Sequence, residues 1–253
     1  TIIGRCPRTG QLGIGITTWS LAVGGYCPVI RANLAALSSQ AAADPRLGRL
    51  AMGLLELGFS PAKVIEELRD HDPHFEYRQV GIVDKESRVA VHTGVTRPWA
   101  GHVIGDGYLA MGNTIDSERV VEEMAKSFDE SEELDLDERL LLSLEAGRDA
   151  GGQQAAHPES PNQDRSAGLI VYELEEYAMM DLRVDVHETA VQELRRVRDE
   201  YKPYIPLYYH TRVKEPHKAI PSPSGSRSSR PGRPQSDSMA GAEKARVPHQ
   251  EYR

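Results

Sequence analysis

The order of strand-like and helix-like stretches is the feature that most restricts the fold of this chain. Starting at residue 1, it runs strands, two helices, strands, two helices, strands and a last helix. Strands are expected over residues 1–5, 12–18, 78–84, 88–93, 108–112, 167–172 and 182–186. Blocks of this kind, unlike a strict alternation of strand and helix, favour a largely antiparallel α+β fold with segregated helices.

The charge pattern divides the chain into two parts. Residues 214–253 carry eight Lys or Arg and four Asp or Glu in a Pro- and Ser-rich run, which predicts a disordered basic tail. Residues 1–213 hold the remaining 22 basic and 34 acidic residues, a net charge of about −12. We therefore expect one domain over 1–213 and a tail over 214–253.

Several partners and compartments are disfavoured by the same composition. An acidic body repels phosphate backbones, so nucleic acid is not expected to bind the folded domain. No apolar run approaches a membrane span, and we expect no leader, although a processed N-terminus would have removed one before Thr1. The two cysteines, Cys6 and Cys27, indicate a reducing compartment rather than a disulfide framework. A cytoplasmic location is the expectation, and the sequence leaves open whether the chain forms a homo-oligomer.

A threonine stands at the head of the first strand. Its hydroxyl is a weak nucleophile alone, but a free α-amine on the same residue has a reference pKa of about 7.7 to 8.0 and accepts a proton near neutral pH. Thr1 can therefore supply both a nucleophile and a base. The other interpretation is that Thr1 marks only a clipped or trimmed start.

A set of short motifs resembles the family called domain of unknown function 1028. It covers about residues 1–200 and comprises Thr1-Ile-Ile-Gly-Arg-Cys-Pro-Arg-Thr-Gly-Gln-Leu-Gly13, Ala22-Val-Gly-Gly25, Arg78-Gln-Val-Gly-Ile-Val-Asp84, Thr93-Gly94, Trp99-Ala-Gly101, Gly112-Asn113, Ser166-Ala167 and Asp181-Leu-Arg-Val-Asp185. That family is placed in the N-terminal nucleophile (Ntn) hydrolase superfamily. The resemblance implies a four-layer αββα sandwich of two antiparallel sheets, with the first residue of the first strand as nucleophile.

The chain departs from the family pattern at two places. Cys6 replaces the usual Asp, and a long insertion spans residues 153–165 ahead of Ser166. The first changes the charge near the first strand, and the second changes a loop near the expected pocket.

Polar residues that match the family pattern are the candidate site residues. Asn113 follows Gly112 at a strand end, and its amide suits an oxyanion donor, so we assign it with Thr1 to catalysis. Each of the others can equally be a turn cap, a buried hydrogen bond or core packing. The substrate-binding candidates are Gln40, Gln79, Trp99, His102, Ser166 and Arg183.

Metal ions and cofactors are not expected. His92 and His102 lack the spacing of metal ligands, and His71 and His74 flank a turn rich in Asp and Pro. Gly105-Asp106-Gly107 lacks the context of a dinucleotide site.

The sequence therefore predicts a hydrolase that cleaves an amide-type bond in a small molecule or peptide, with Thr1 as nucleophile and its α-amine as base. The alternative is a non-catalytic scaffold or ligand-binding protein that keeps the Ntn fold. A cysteine hydrolase that uses Cys27 ranks third, because no His is placed by sequence to activate the thiol.

Overall fold

The computed structural model describes residues 1–95, 99–153 and 164–219. These ranges contain ten strands: β1 Ile2–Arg5, β2 Leu12–Thr18, β3 Pro28–Arg31, β4 Ala35–Ala41, β5 Arg78–Asp84, β6 Val89–Thr93, β7 Trp99–Gly105, β8 Tyr108–Ile115, β9 Ser166–Tyr172 and β10 Met180–Val184. The longer helices are α1 Pro45–Glu56, α2 Pro61–His71, α3 Arg119–Glu130, α4 Leu136–Asp149 and α5 Ala190–Tyr201.

Shorter helical segments complete the described chain. They are the 3₁₀ turns Val23–Gly25, Phe75–Tyr77 and Lys202–Tyr204, the π-helix Pro206–Thr211, and the turns Arg212–Lys214 and Pro216–Ala219. The expected tail begins at residue 214. Its first residues belong to these short helical segments, and the rest, 220–253, lies outside the described residues.

The strands form two antiparallel sheets. The six-stranded sheet has the order β10-β9-β2-β1-β8-β7, and the four-stranded sheet has the order β3-β4-β5-β6. Within the larger sheet β1 lies centrally, where Ile2 is opposite Gly15 on β2 and Ala110 on β8. The smaller sheet places Gln40 directly opposite Gln79. Register and topology therefore bring the start of β1 and the ends of β4 and β8 to one region.

Three hydrophobic clusters define four layers. One joins the outer face of the larger sheet to α3, α4 and α5, with Ile2, Phe128, Leu140, Leu169 and Leu194. A second joins the outer face of the smaller sheet to α1 and α2, with Leu37, Leu47, Leu68 and Ile82. The third lies between the sheets, with Ile3, Ile14, Ala36, Val83 and Met111. The αββα sandwich expected from the resemblance is confirmed.

The two sheets approach closely where β5 crosses β8. A Cβ atom on Gly81 would lie 2.3 Å from Leu109 Cδ2 and 2.7 Å from Met111 Sδ. A side chain there would force those of Leu109 and Met111 to move. Gly81 therefore keeps β5 close enough for Gln79, two residues earlier on the same face, to reach the other sheet.

Local signals explain the first two helices. The Asp44 side chain accepts a hydrogen bond from the Arg46 amide, and the Ser60 hydroxyl accepts one from the Lys63 amide. Each cap is followed by proline at the first helical position, where a missing N–H costs nothing. The helices begin where the sequence predicts.

An ion-pair cluster joins α4 to α5. Arg198, 8% exposed, bonds Asp137 through Nε at 2.7 Å and Glu138 through Nη1 at 2.7 Å. Arg195 holds Glu138 at 2.6 Å and Glu145 at 2.8 Å. We call these five residues the α4/α5 ion cluster. These ion pairs hold α5 against α4.

Three strands were missed by the sequence prediction and two were displaced. No strand was assigned to β3, β4 or β7, although β4 contains the apolar run that ends at Gln40. The strand predicted over 108–112 extends to Ile115, and the last spans Met180–Val184 instead of 182–186. β4 is rich in Ala and Ser and β7 contains two glycines, so packing between layers, not local propensity, makes these two segments strands.

Candidate active site

A cavity of about 420 Å³ lies at the start of β1. Its wall is built from strand ends of both sheets and from the end of α4: Thr1 on β1, Thr18 on β2, Gln40 and Ala41 on β4, Asn113 on β8 and Arg148 on α4. Because these strands belong to different sheets, the fold alone brings their polar residues together.

Thr1 continues the β1 ladder by one residue. Its α-amine donates to the Met111 carbonyl at 3.0 Å, and its own carbonyl accepts from the Met111 amide at 2.9 Å. Its hydroxyl donates to Gln40 Oε1 at 2.6 Å. The residue is 8% exposed and lines the cavity. Both of its reactive groups are thus held in place at the cavity wall.

A chain of side-chain amides leads from Thr1 across the sandwich. Gln40 Nε2 donates to Gln79 Oε1 at 2.8 Å, and Asn113 Nδ2 donates to the same oxygen at 3.2 Å. Gln79 Nε2 is shared among Thr93 Oγ1 and the carbonyls of Gly101 and Gly112, at 3.0 to 3.2 Å. Gln40, Gln79 and Asn113, which we call the amide network, tie the smaller sheet to β7 and β8 of the larger one.

Gln153 supports the opposite side of the cavity, a role not foreseen from the sequence. Its Oε1 accepts from the Thr18 hydroxyl at 2.6 Å and from the Trp19 amide at 2.7 Å. Its Nε2 donates to the Asn113 carbonyl at 3.3 Å. Gln153 therefore fixes the end of β2 against the backbone that carries Asn113.

Backbone strain lies directly beside two site residues. Ala41, after Gln40, has φ 69°, and Thr114, after Asn113, has φ 54°. Residues with a Cβ atom avoid this left-handed region, most of all β-branched threonine. Strained residues of this kind cluster at functional sites when the surroundings hold them. Each of the two turns a strand end so that the preceding polar side chain faces the site.

Burial controls the protonation of the α-amine. Desolvation lowers the pKa of the Thr1 amine from 8.0 to about 5, because the cation loses its hydration in the protein interior. At neutral pH the amine is therefore uncharged and has a lone pair to accept a proton.

Cys27 lies on the same cavity wall in the opposite condition. Burial raises the pKa of its thiol to about 12. A thiol that stays protonated at neutral pH is a poor nucleophile. This disfavours the cysteine hydrolase that ranked third.

Two charged side chains lie at the cavity. The Arg148 side chain is 22% exposed and contacts Asp149, which is 68% exposed, at 2.7 Å. Asp164 is buried, and its carboxylate accepts from the Val191 amide at the start of α5 at 2.8 Å. Desolvation raises the pKa of the Asp164 carboxyl. The Arg148 guanidinium therefore has an exposed partner, Asp149, whereas the Asp164 carboxylate has a buried one, the Val191 amide.

The family assignment rests on the comparison with family models. The model described as "Family of unknown function (DUF1028)" matches residues 1–194. The chain belongs to the DUF1028 family. The resemblance inferred from the sequence motifs is thereby confirmed, and the match ends within α5.

Two of the solved structures that match this chain differ widely in their similarity to it. The crystal structure of protein SPO2555 from Silicibacter pomeroyi, also a DUF1028 family member, is 26% identical with a TM-score of 0.72, over 79% of this chain and 84% of that one. Anbu (ancestral beta-subunit) from Yersinia bercovieri is 9% identical with a TM-score of 0.37, over 83% of this chain and 96% of that one. No curated protein matches the chain.

The DUF1028 motif residues fall into two groups. Thr1, Gln40 and Asn113 line the cavity. Gln79 lies behind its wall with no exposed surface, at the centre of the amide network. Its hydrogen bonds indicate that it positions other residues and does not touch a ligand.

The remaining substrate-binding candidates lie outside the cavity wall. The ring of Trp99 packs over Gly101, where a Cβ would lie 2.2 Å from Trp99 Cη2. His102 is exposed and contacts Thr93 Oγ1 through Nδ1 at 3.0 Å. Buried Ser166 bonds the Ser20 carbonyl and the Val23 amide. Arg183 pairs with Asp181 at 2.9 Å and packs on Gly24. Each has a structural partner that accounts for its position.

Two properties of the described ranges bear on ligand classes. Within 1–95, 99–153 and 164–219, no three His, Cys, Asp or Glu side chains come together as a metal ion would need. None of the helices in these ranges is long and apolar enough to span a membrane.

Proposed function

We propose that this DUF1028 chain is an Ntn-type hydrolase that cleaves an amide-type bond in a small molecule or peptide. Thr1 Oγ1 is the nucleophile, the Thr1 α-amine is the base and Asn113 Nδ2 is an oxyanion donor. One observation carries the proposal: a hydroxyl and a neutral amine of the same residue lie on the wall of a cavity large enough for a small molecule.

The first half-reaction forms an acyl-enzyme. Thr1 Oγ1 attacks the substrate carbonyl carbon, and its proton passes to the α-amine. The amine then protonates the leaving nitrogen as the C–N bond breaks. In the resting arrangement the hydroxyl proton points to Gln40 Oε1. Rotation about Cβ–Oγ1 would turn it away from Gln40 and toward the amine of the same residue.

The second half-reaction restores the enzyme. A water molecule loses a proton to the same amine and attacks the ester carbonyl, and Thr1 Oγ1 leaves with that proton as the acid product is released. The Thr1 amine must be neutral at the start of each half-reaction. The pKa of about 5 keeps it available at neutral pH.

In this proposal Asn113 stabilises the tetrahedral intermediate. One hydrogen of its Nδ2 is held by Gln79 Oε1 at 3.2 Å, and the other is not used by the described hydrogen bonds. An amide N–H aimed at the developing oxyanion lowers the barrier because it strengthens as the charge forms. The hydrogen bond to Gln79 fixes its direction.

The deciding experiment is covalent labelling. The chain with a free Thr1 is incubated with a β-lactone, and the adduct is measured by intact mass and located by peptide mapping. We expect one adduct on Thr1, abolished in Thr1→Ala and in a chain extended by one residue, whose amide nitrogen cannot accept a proton.

The result also separates the alternatives. Labelling at Cys27 or at an internal serine overturns the mechanism. No labelling, together with no turnover of a broad amide panel, favours the non-catalytic ligand-binding protein. Sequencing the mature protein from its source cells tests the premise directly, because a residue retained before Thr1 blocks the amine.

A further inference from the structure

We propose that the amide substrate carries a carboxylate and that Arg148 binds it. This inference rests on the hydrolase proposed above and names the substrate class of that site. Arg148 lines the same cavity as Thr1. Among the described residues of the cavity wall it is the one permanent cation, because the Thr1 amine is neutral at pH 7.

Part of the cavity wall is apolar. Ile115, Val120, Met124 and Leu144 line it together with Thr1 and Arg148, and Gly147, which precedes Arg148, also lines it. Gly147 has no side chain, and a Cβ there would lie 2.6 Å from Met124 Cγ. A cation beside an apolar wall fits a ligand with an apolar stem and an anionic end.

Arg148 is available for a ligand in a way that Asp164 is not. The guanidinium bonds a single carboxylate oxygen of Asp149 through Nε at 2.8 Å and Nη2 at 2.7 Å. Because Asp149 is 68% exposed, water and salt screen this pair, and it contributes little. Nη1 has no hydrogen-bond partner within the part of the chain that the structure describes.

Asp164, in contrast, is committed to the start of α5. Its carboxylate accepts from the Val191 amide and is buried. The Arg148 charge also acts on this carboxylate, so a cationic ligand would compete with Arg148 as well as with the Val191 amide. The geometry therefore favours an anionic ligand at Arg148, whose planar fork suits a carboxylate.

The test uses binding, so that it does not depend on catalysis. Thr1→Ala prevents hydrolysis, and calorimetry compares the monoamides of succinate, adipate and suberate with the corresponding diamides. Each pair differs only in the charged end. At least one monoamide is expected to bind at least tenfold more tightly than its diamide, about 1.4 kcal/mol.

Substitution of the arginine should remove that preference. Arg148→Gln is expected to bring the monoamide affinity down to that of the diamide, whereas Arg119→Gln, an equal charge change on an exposed residue of α3, should leave the preference intact. If Arg148→Gln does not fold, Arg148→Lys keeps the charge without the planar fork and should keep only part of the preference.

Three results would overturn the inference: no binding of any monoamide, equal affinity for both members of every pair, or an equal loss for both in Arg148→Gln. The last would mean that Arg148 is structural. Failure of the hydrolase proposal is seen separately, as absence of lactone labelling at Thr1.

Discussion

The amide network and the α4/α5 ion cluster are both polar groups with buried members, Gln79 in the first and Arg198 in the second, yet they are built differently. The network is uncharged, shares its donors among several acceptors and ends at a cavity. The cluster is ionic, pairs each arginine with two or more carboxylates and continues through Asp199 and Lys202 toward the surface. Buried charge is tolerated when paired and hydrogen-bonded, whereas a neutral amide keeps a site polar without fixing a charge in it.

This difference predicts different consequences of mutation. Loss of a group at the cavity end of the network should affect turnover, and loss of a group in the cluster should affect folding. A site that must accommodate a transient negative charge gains from donors that carry no charge of their own.

Thr1→Ala should give the largest effect on activity. The attacking oxygen is lost, so kcat/KM for any cleaved amide should fall at least about a thousandfold. The free energy of unfolding should change by only about 1 kcal/mol, because Gln40 Oε1 still accepts from Ser38. Thr1→Ser should retain part of the activity. Steady-state kinetics and urea unfolding measure the two effects, and full activity in Thr1→Ala would contradict the mechanism.

Arg198→Met should give the largest effect on stability. It removes the buried guanidinium between Asp137, which keeps Lys202, and Glu138, which keeps Arg195, and this loss should cost about 2 kcal/mol of unfolding free energy. The matched control is Arg196→Met on the exposed side of α5, where the pairs with Glu193 and Glu200 contribute less than about 1 kcal/mol. Activity per folded molecule should stay unchanged in both, and a selective loss in Arg198→Met would make the comparison wrong.

Asn113→Ala should lower kcat by about a hundredfold to a thousandfold, as expected for one oxyanion donor. KM should change little, since the hydrogen bond strengthens only in the transition state. An effect confined to KM would instead assign Asn113 to ground-state binding.

The pH dependence of activity should report the buried amine. In the free enzyme kcat/KM should be flat above about pH 6 and fall tenfold per unit below the amine pKa of about 5. If kcat/KM instead began to fall below about pH 8, the amine would be solvated, which would contradict its burial.

The same group makes stability depend on pH. Between about 5 and 8 the unfolded chain binds the amine proton and the folded chain does not. The contribution of this group to unfolding free energy therefore rises with pH across that window and is constant above it. Urea titrations of the chain with a free and with an acetylated Thr1 isolate this contribution.

Ala41→Gly should give the smallest effect, a gain of up to about 1 kcal/mol, because glycine relieves the left-handed backbone at φ 69°. Ala42→Gly is the matched control: its backbone is not left-handed, so glycine should destabilise it by about 0.5 to 1 kcal/mol. If both changes destabilise equally, Ala41 is not strained.

The parts of the fold that sequence predicts are those with local causes. The caps at Asp44 and Ser60 specify α1 and α2, and a short run rich in β-branched residues specifies β5. β4 escapes prediction because Ala and Ser have low strand propensity and form a strand here only by packing between two layers.

The site residues also divide into those that the sequence predicts and those that it does not. Thr1 and Asn113 can be chosen from the sequence because their chemistry and family position point to them. Gln153 and Arg148 cannot, since one follows a helix end and the other lies in its last turn, with no local pattern to mark either. Their place at the cavity depends on contacts across long sequence separations, such as that of Gln153 with Thr18.

The position of the Thr1 nitrogen determines what would happen to any residue attached to it. The nitrogen is buried in the cavity wall and donates to the Met111 carbonyl, a bond that a peptide N–H could also make. The preceding residue would then enter the space that a substrate needs. Such an extension would act as a tethered competitor, and a single cleavage would both expose the base and empty the binding site.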